Sequence, residues 1–536
     1  MTGFSSSAQA MSLLAFMTVA TITLLLCVIA GPEGDDLQEF YTGYRSLSPV
    51  RNGLAIAGDY ISAVTVGSTC GIIALFGYDG VVLAVSTALS LMLLMFLLAE
   101  PLRNAGKFTM GDALAQRMPG PSVRIAMCAT TLMALIPLVL LQLAGTGDLL
   151  AFILGFSSDA LKTGCIVGIG ALMILYTALG GMKGTALIQI VKIVMLLGSG
   201  AIVALLILRQ FAWDPGALFA AAAARSGVGP AFLHSGLEFS GGSAPRIDMI
   251  STQLTVVLGA ACLPHVTMRM FTASSARQVR RSMTWAVSSV ALFVLIITVV
   301  AVGATALLGR DTILGADPTG RTAFLLGSRA AFGVHVSTGE TLLFTLVTTA
   351  LFLTLLGSVA GMILACANTL AHDLFAVLRT KMTPRQEMTA ARLSALGVGS
   401  LTIFLATLVQ NRNIQPLALL GTSIGASALA PAMVYSFFWR RYTRTGLLCT
   451  LIGGTLSTLV LMTGTNLVSG SPMAAFPHSD FNWFPFTTTG LVSVPLGFAL
   501  GWAGTVLSGR GQADEQRREY AAVEATILAG VARRTG

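Results

Sequence analysis

The chain has 536 residues, 54% of them apolar and only 10% charged, against roughly 25% charged in an average soluble chain. Its mean hydropathy is +0.81. That composition cannot coat a soluble domain, and it excludes a soluble enzyme, a disordered protein and a disulfide-built secreted module. The net charge of +9 comes from 32 Lys and Arg against 23 Asp and Glu. These bases lie in short clusters between apolar runs, without interleaved aromatics. They read as topogenic charge, not as a nucleic-acid surface.

A spanning helix needs about 20 mostly apolar residues. In chain order such runs fall at 11–30, 52–76, 81–99, 123–152, 161–179, 185–208, 248–268, 282–308, 341–371, 391–409, 417–438, 447–469 and 486–507. The expected fold is an all-α membrane protein of about 13 helices. The first run has no Lys or Arg before it, so it reads as a retained helix and not as a signal peptide. Residues 1–510 form the expected membrane domain, and 511–536 a short mixed-charge helix. With the N-terminus outside, the inside loops collect 24 of the 32 basic residues, Lys183, Lys192 and the Arg269–Arg281 cluster among them. That bias places the C-terminus in the cytoplasm of a multi-pass plasma-membrane protein.

Function is sought where helices are interrupted, because unwound backbone survives in lipid only where it lines a cavity or an ion. The second run reads GLAIAGDYISAVTVGSTCG from Gly53. Gly58 weakens the helix, and Ser62, Thr65, Ser68 and Thr69 supply oxygens. Asp59 is the only carboxylate this deep in any run. An intramembrane charge costs about 2.5–3.5 kcal/mol on insertion scales, so it is either paired with a base of another helix or used.

The seventh run carries a second interruption, LGAACLPHVTMRM, with Gly259, Pro264 and His265. Pro264 alone is explained by a kink. His265 beside Arg269 reads as an interfacial polar residue. The two interruptions lie five helices apart, and units offset by an odd number of spans must be oppositely oriented. That is the inverted-repeat plan of secondary transporters.

In the ninth run Thr354, Gly357 and Ser358 share one face by their spacing. The hydroxyls would serve a small cation, or the face is simply small-residue packing. Other signals are discounted. Gly421-Thr-Ser-Ile-Gly425 matches a nucleophile-elbow pattern but opens a membrane helix, and Gly67-Ser-Thr-Cys-Gly71 reads as close packing. The seven cysteines form no metal or redox spacing, and the five histidines are scattered. Nothing points to an enzyme.

The blocks YRSLSPVRNGLAIAGDYISA, FGYDG, LLAEPLRNAGKFTMGDALAQR, YTALGGMKGTALIQIVKIV, LPHVTMRMFTASSARQVRRS and AGMILACANTLAHDLFAV together resemble the sodium:solute symporter family, in its cation/acetate branch. The resemblance runs from about Tyr44 to Val377, and more weakly to about Arg441. It implies a leucine-transporter-like core of five plus five helices, about 52–208 and 248–438, with one helix before and two after. It implies a sodium site of Gly58, Ile61, Thr354, Gly357 and Ser358.

Two departures are visible. Several relatives carry paired hydroxyls where this chain has Gly357 and Ser358. Many carry an Asp at the place of Ala186, ahead of Gln189. They leave the coupling ion open between sodium and a proton. The implied activity is cation-coupled symport of a short-chain monocarboxylate such as acetate, with no cofactor beyond the coupling ion and no nucleic-acid partner. Pyruvate, propionate, proline or a sugar are alternative solutes, and a membrane sensor on the same fold is the alternative class. Aligning the interruptions places substrate near Ser62, Thr65 and Gly259. Asp59 is expected to neutralise the cation or carry a proton.

Overall fold

A computed structural model of the chain describes residues 6–32, 34, 36–155, 158–238, 245–332, 338–379, 382–410, 412–471 and 474–530. Each apolar run becomes helical because backbone groups in hydrocarbon must bond within their own segment. The first helix, α1 (Ser6–Ala30), precedes a bent pair, α2 (Pro49–Tyr60) and α3 (Ala63–Phe76). Then come α4 (Tyr78–Ala105), the short α5 (Met110–Arg117), α6 (Pro121–Leu154) and α7 (Asp159–Gln210).

As one straight rod, the 52 residues of α7 would reach about 78 Å, more than twice the ~30 Å hydrocarbon core. It is two spans. Gly181 divides them with φ 52° and ψ −152°, a backbone state that side chains disfavour. The sequence places a loop here around Lys183, whereas the chain turns on this one residue.

The second half repeats the plan. A broken span, α8 (Pro245–Ala261) and α9 (Pro264–Thr267), leads into α10 (Ala276–Leu308), α11 (Thr338–Thr369), α12 (Pro384–Val409) and α13 (Gln415–Phe438). Two further spans follow, α14 (Arg444–Thr463) and α15 (Gly490–Leu507), then α16 (Arg510–Ala529). Eleven described helices are long and apolar enough to span, and the α2–α3 pair makes a twelfth. The division of α7 makes thirteen, as the sequence predicts.

The helix α11 lies at the centre, its apolar window wholly buried, whereas that of α1 is 22% buried and faces outward. An all-round apolar helix belongs in such a centre. It is surrounded by α7, α1, α6 and α12. The two discontinuous helices begin the two five-span units and so flank α7 and α11. Small residues let these helices close up. A Cβ on Gly421 would meet the Ala134 carbonyl at 2.6 Å, and one on Gly71 would meet Gly320 at 2.8 Å. Both glycine motifs discounted in the sequence are therefore packing surfaces.

Candidate functional site

The α2–α3 break is a bend of 63°. Ile61 and Ser62 are extended, with ψ 107° and 164°. The Ser62 hydroxyl caps α3 by accepting from the Thr65 N–H at 3.0 Å. The residue that would close the last turn onto Gly58, Ser62, is already outside α2. The Gly58 carbonyl therefore loses its helical partner and must find another.

It finds a lysine. Lys192 Nζ donates to the Gly58 carbonyl at 2.6 Å and to Ser358 Oγ on α11 at 2.8 Å. Lys192 is fully buried and has no carboxylate partner among the described residues. Two of the five residues assigned to sodium are thus brought onto one cation, and that cation is a side chain of α7.

The other three make contacts of their own. The Gly357 carbonyl accepts from Gln189 Nε2 at 2.7 Å. The Thr354 hydroxyl donates to Ala350 in its own helix at 2.6 Å. Ile61 is buried and donates its N–H to Ala57, fixing the last turn of α2. An ammonium and a sodium ion carry the same charge and seek the same oxygens, so Lys192 lies where the expected sodium ion would.

Asp59 has the structural partner that the sequence allowed. Its Oδ2 accepts from Arg269 Nε at 2.5 Å, and its Oδ1 accepts from Gln189 Nε2 at 2.6 Å. All three residues are buried. Asp59 is thus held in a buried ion pair. Arg269 also donates to the Met182 carbonyl at 3.1 Å. Neither Lys192 nor Arg269 lies in a loop, where the charge count placed them. Removing both leaves the inside bias intact.

Close approach makes the arrangement possible. A Cβ on Gly58 would stand 2.6 Å from the Gln189 carbonyl and 2.7 Å from its Cβ. Gly58→Ala must push α2 off α7, at a cost of about 1–3 kcal/mol for overpacking. We expect a lower unfolding midpoint for the purified variant, checked by a thermal melt beside Ala57→Gly as a neighbouring control.

Beside the break lies a cavity of about 210 Å³, lined by Ser62, Thr65, Gln142, His265, Met362 and Thr422 among others. Gln142 Nε2 donates to Ser62 Oγ at 2.7 Å. His265 Nδ1 and Gln142 Oε1 are buried without a protein partner among the described residues. His265 is therefore a cavity residue, not an interfacial one. Gly259 does not line the cavity. It packs backbone to backbone against Thr422 and Gly425, while its neighbour Ala260 is on the wall. A larger cavity of about 440 Å³, lined by Asp148, Asp317 and Arg321, meets the first across Val64 and Gly145.

At the Arg124 end, a polar cluster ties α5 to α6, to the helical turn Leu370–Phe375 that continues α11, and to α12. Arg124 pairs with Asp112 at 2.6 Å, and His372 bridges Asp112 and Glu387 at 3.0 and 2.6 Å. Burial raises the Asp112 pKa, but His372 and Arg124 outweigh it and hold the carboxyl down to about 2. With the folded value depressed, the part of this tie that Asp112 contributes is intact at neutral pH and is lost in acid.

A model of the sodium:solute symporter family matches residues 40–454. The chain belongs to that family. It is 33% identical over 528 residues to a monocarboxylic acid transporter of Corynebacterium glutamicum, covering 96% of this chain and 94% of that protein. It is 31% identical over 520 residues to an uncharacterized symporter, YwcA, of Bacillus subtilis, covering 97% and 98%. In fold it matches a Na+-coupled sialic acid symporter in its outward-open state, with a TM-score of 0.73 at 15% identity over 95% and 98% of the two chains. It also matches the nucleobase-cation-symport-1 transporter Mhp1, with a TM-score of 0.50 at 14% identity over 90% and 94%. The leucine-transporter-like plan of inverted repeats is therefore established. The family is one of solute carriers, not enzymes.

Sequence reasoning missed Lys192 and Gln142. A signal for the first was present. Thr185, Gln189 and Lys192 recur at i, i+4 and i+7, a polar stripe along one face of an otherwise apolar span.

Proposed function

We propose that this carrier moves a short-chain monocarboxylate such as acetate into the cell together with a cation, by alternating access. The lining of the small cavity carries the reading. Ser62, Thr65, Gln142 and His265 bring polar groups to its wall, and His265 Nδ1 and Gln142 Oε1 are buried there without a protein partner among the described residues. Buried polar atoms of that kind call for a polar solute.

Three further features support the solute class. The cavity is below the roughly 300–1,000 Å³ of drug-sized sites, which favours a small solute over a sugar. The N-terminus of α3 opens at its wall, where free backbone N–H groups and the helix dipole favour a carboxylate. Leu138, Leu141 and Met362 would face the alkyl end. The relative named as a monocarboxylic acid transporter supports the same class.

In this reading the larger cavity is the outer vestibule, and the Asp112–His372 cluster closes the cytoplasmic end. The N-terminus lies outside and the C-terminus inside, from the charge bias. Binding of both ligands shifts the population between the two closures, as differential affinity requires. The carrier unit is residues 1–510, and the 511–536 tail follows it, with Tyr520 and Ile527 of α16 buried; residues 531–536 are outside the described residues. Membership of a sodium family speaks for sodium coupling, and the departures at Gly357 and Ala186 leave a proton as the alternative.

Labelled acetate uptake into proteoliposomes tests the solute, with protein-free liposomes to subtract leak of the free acid. Saturable uptake, competed by propionate and pyruvate but not by proline or glucose, is expected. Thr65→Val removes a hydroxyl at the α3 N-terminus while keeping the side-chain shape. It should raise KM about tenfold, equivalent to ~1.4 kcal/mol, at unchanged folded yield. An unchanged KM would place the carboxylate elsewhere.

A further inference from the structure

We propose that the larger cavity, of about 440 Å³, is a capture site for the carboxylate of the solute, built on Arg321, Arg412 and Thr322, and that it loads the inner cavity past Val64 and Gly145. The inference takes the carboxylate from the solute reading above and adds a second place where it binds.

The cavity lies where three parts of the chain meet. Its walls come from the C-terminal end of α6, the turn 316–322 ahead of α11, and residues 412–414 between α12 and α13. Arg321 and Arg412 both line it, the first half-buried and the second exposed. Neither guanidinium has an ion pair or a hydrogen bond among the described residues.

Two carboxylates share the cavity, and both are committed. Asp317 accepts within its own turn, at Oδ1 from the Thr319 N–H at 2.9 Å and hydroxyl at 2.8 Å, and at Oδ2 from the Arg321 N–H at 2.9 Å. Asp148 accepts from Lys162 Nζ at 3.3 Å. Lys162, Arg321 and Arg412 therefore face two carboxylates, which leaves one positive charge over. Burial pulls the Arg321 pKa below its usual value, and Asp317 and Asp148 only partly offset this. A guanidinium so placed gains from a further anion, and its planar fork matches a carboxylate.

A hydroxyl points to the same ligand. Thr322 is buried and lines the cavity, and its Oγ1 has no partner among the described residues. A buried hydroxyl left unpaired is costly, and a carboxylate in this cavity would accept from it. Leu149, Phe152 and Pro318 leave apolar wall for the alkyl end.

The outer and inner cavities are joined. Gly145 lines the outer one and Val64 the inner, and a Cβ on Gly145 would stand 3.2 Å from Val64 Cγ2. The Arg321 backbone rests on α3, where a Cβ on Gly67 would meet its carbonyl at 3.1 Å. The same helix carries Thr65, Ser68 and Thr69 on the inner wall. One helix thus supports both sites. Positive charge at the mouth of a cleft raises the rate at which anions enter, and salt weakens the effect.

Two measurements on the full-length chain test this. The first needs no transport. Purified protein is treated with phenylglyoxal, and modification of Arg321 and Arg412 is followed by mass spectrometry of their peptides. Acetate should slow both, whereas acetamide, and chloride at equal ionic strength, should not. Thr322→Val removes the unpaired hydroxyl and keeps the side-chain shape. It should raise the acetate concentration for half-protection about tenfold. Thr65→Val, at the inner cavity, should leave that concentration unchanged. Protection that shifts with Thr65→Val and not with Thr322→Val would overturn the proposal, because acetate would then act from the inner cavity. Equal protection by chloride would overturn it too.

The second is the initial rate of uptake of labelled pyruvate, too strong an acid to leak across freely, into proteoliposomes. Wild-type uptake at low substrate should fall as ionic strength rises. Arg412→Gln, a change at an exposed position, should raise KM about tenfold, keep the maximal rate and flatten the salt dependence. An unchanged KM with an unchanged salt dependence would refute capture even if every variant at Arg321 failed to fold. Protection by acetate without uptake of any monocarboxylate would sink the solute reading alone and leave the outer site standing.

Discussion

Asp59→Asn should be among the most damaging single changes in this protein. The substitution keeps the shape of the side chain and removes its charge. Arg269 is then left buried without a counter-charge, which costs roughly 3–5 kcal/mol where one partner of a buried pair is deleted. Gln189 Nε2 also loses a charged acceptor at 2.6 Å. The expected result is a sharp loss of folded protein and a lowered unfolding midpoint in detergent. Arg269→Gln alone should do the same from the other side.

The double variant Asp59→Asn/Arg269→Gln should recover part of the loss, because neither charge is then unpaired. A double-variant cycle of melting midpoints checks this. Additive losses would mean that the two side chains do not act as a pair.

The second large effect is expected at Arg117, far from the cavity. Arg117 is buried and donates to four carbonyls at the end of α13 and beyond. They are Tyr435 at 3.1 Å, Ser436, Trp439 at 2.7 Å and Tyr442 at 3.2 Å. Its guanidinium also lies 3.9 Å from the centre of the Tyr520 ring, on α16. The Tyr435 and Trp439 carbonyls also accept backbone N–H groups, so the Ser436 and Tyr442 carbonyls depend most on this side chain.

Arg117→Met should cost on the order of 3 kcal/mol by stranding those acceptors. It should also loosen α16, which otherwise seats Tyr520 and Ile527 in the body of the protein. Limited proteolysis of the C-terminal segment, followed beside a thermal melt, measures both effects. Arg117→Lys should not rescue, since an ammonium lacks the planar fork that reaches several acceptors at once.

Much of the architecture was legible because lipid leaves few options. Apolar runs of spanning length must be helices, and Gly58 and Pro264 mark the two places where those helices fail. The capping hydroxyl of Ser62 was visible as a polar residue just past the break. What was not legible is which partner each freed group finds. Gly259 looked like a cavity residue because it sits in the break sequence, yet the missing Cβ serves a backbone contact with Thr422.

Lys192 was counted with the loop bases because an isolated lysine between apolar segments usually marks a membrane edge. Its true place depends on Gly181, where α7 turns without a loop and the following span starts earlier. The pairing of Asp59 with Arg269 joins residues 210 positions apart. One sequence without homologues holds no trace of that contact. The polar face of Thr185, Gln189 and Lys192 was the one local clue. Helical spacing makes it a stripe, and an intramembrane stripe of this kind points to the interior of a bundle.

The most direct test of the account is the driving force for uptake. Proteoliposomes holding the wild-type chain are given labelled pyruvate under an inward sodium gradient, an inward proton gradient or neither. The account predicts saturable accumulation above the external concentration that a cation gradient drives and the matching ionophore abolishes. Equilibration without accumulation under either gradient would contradict it.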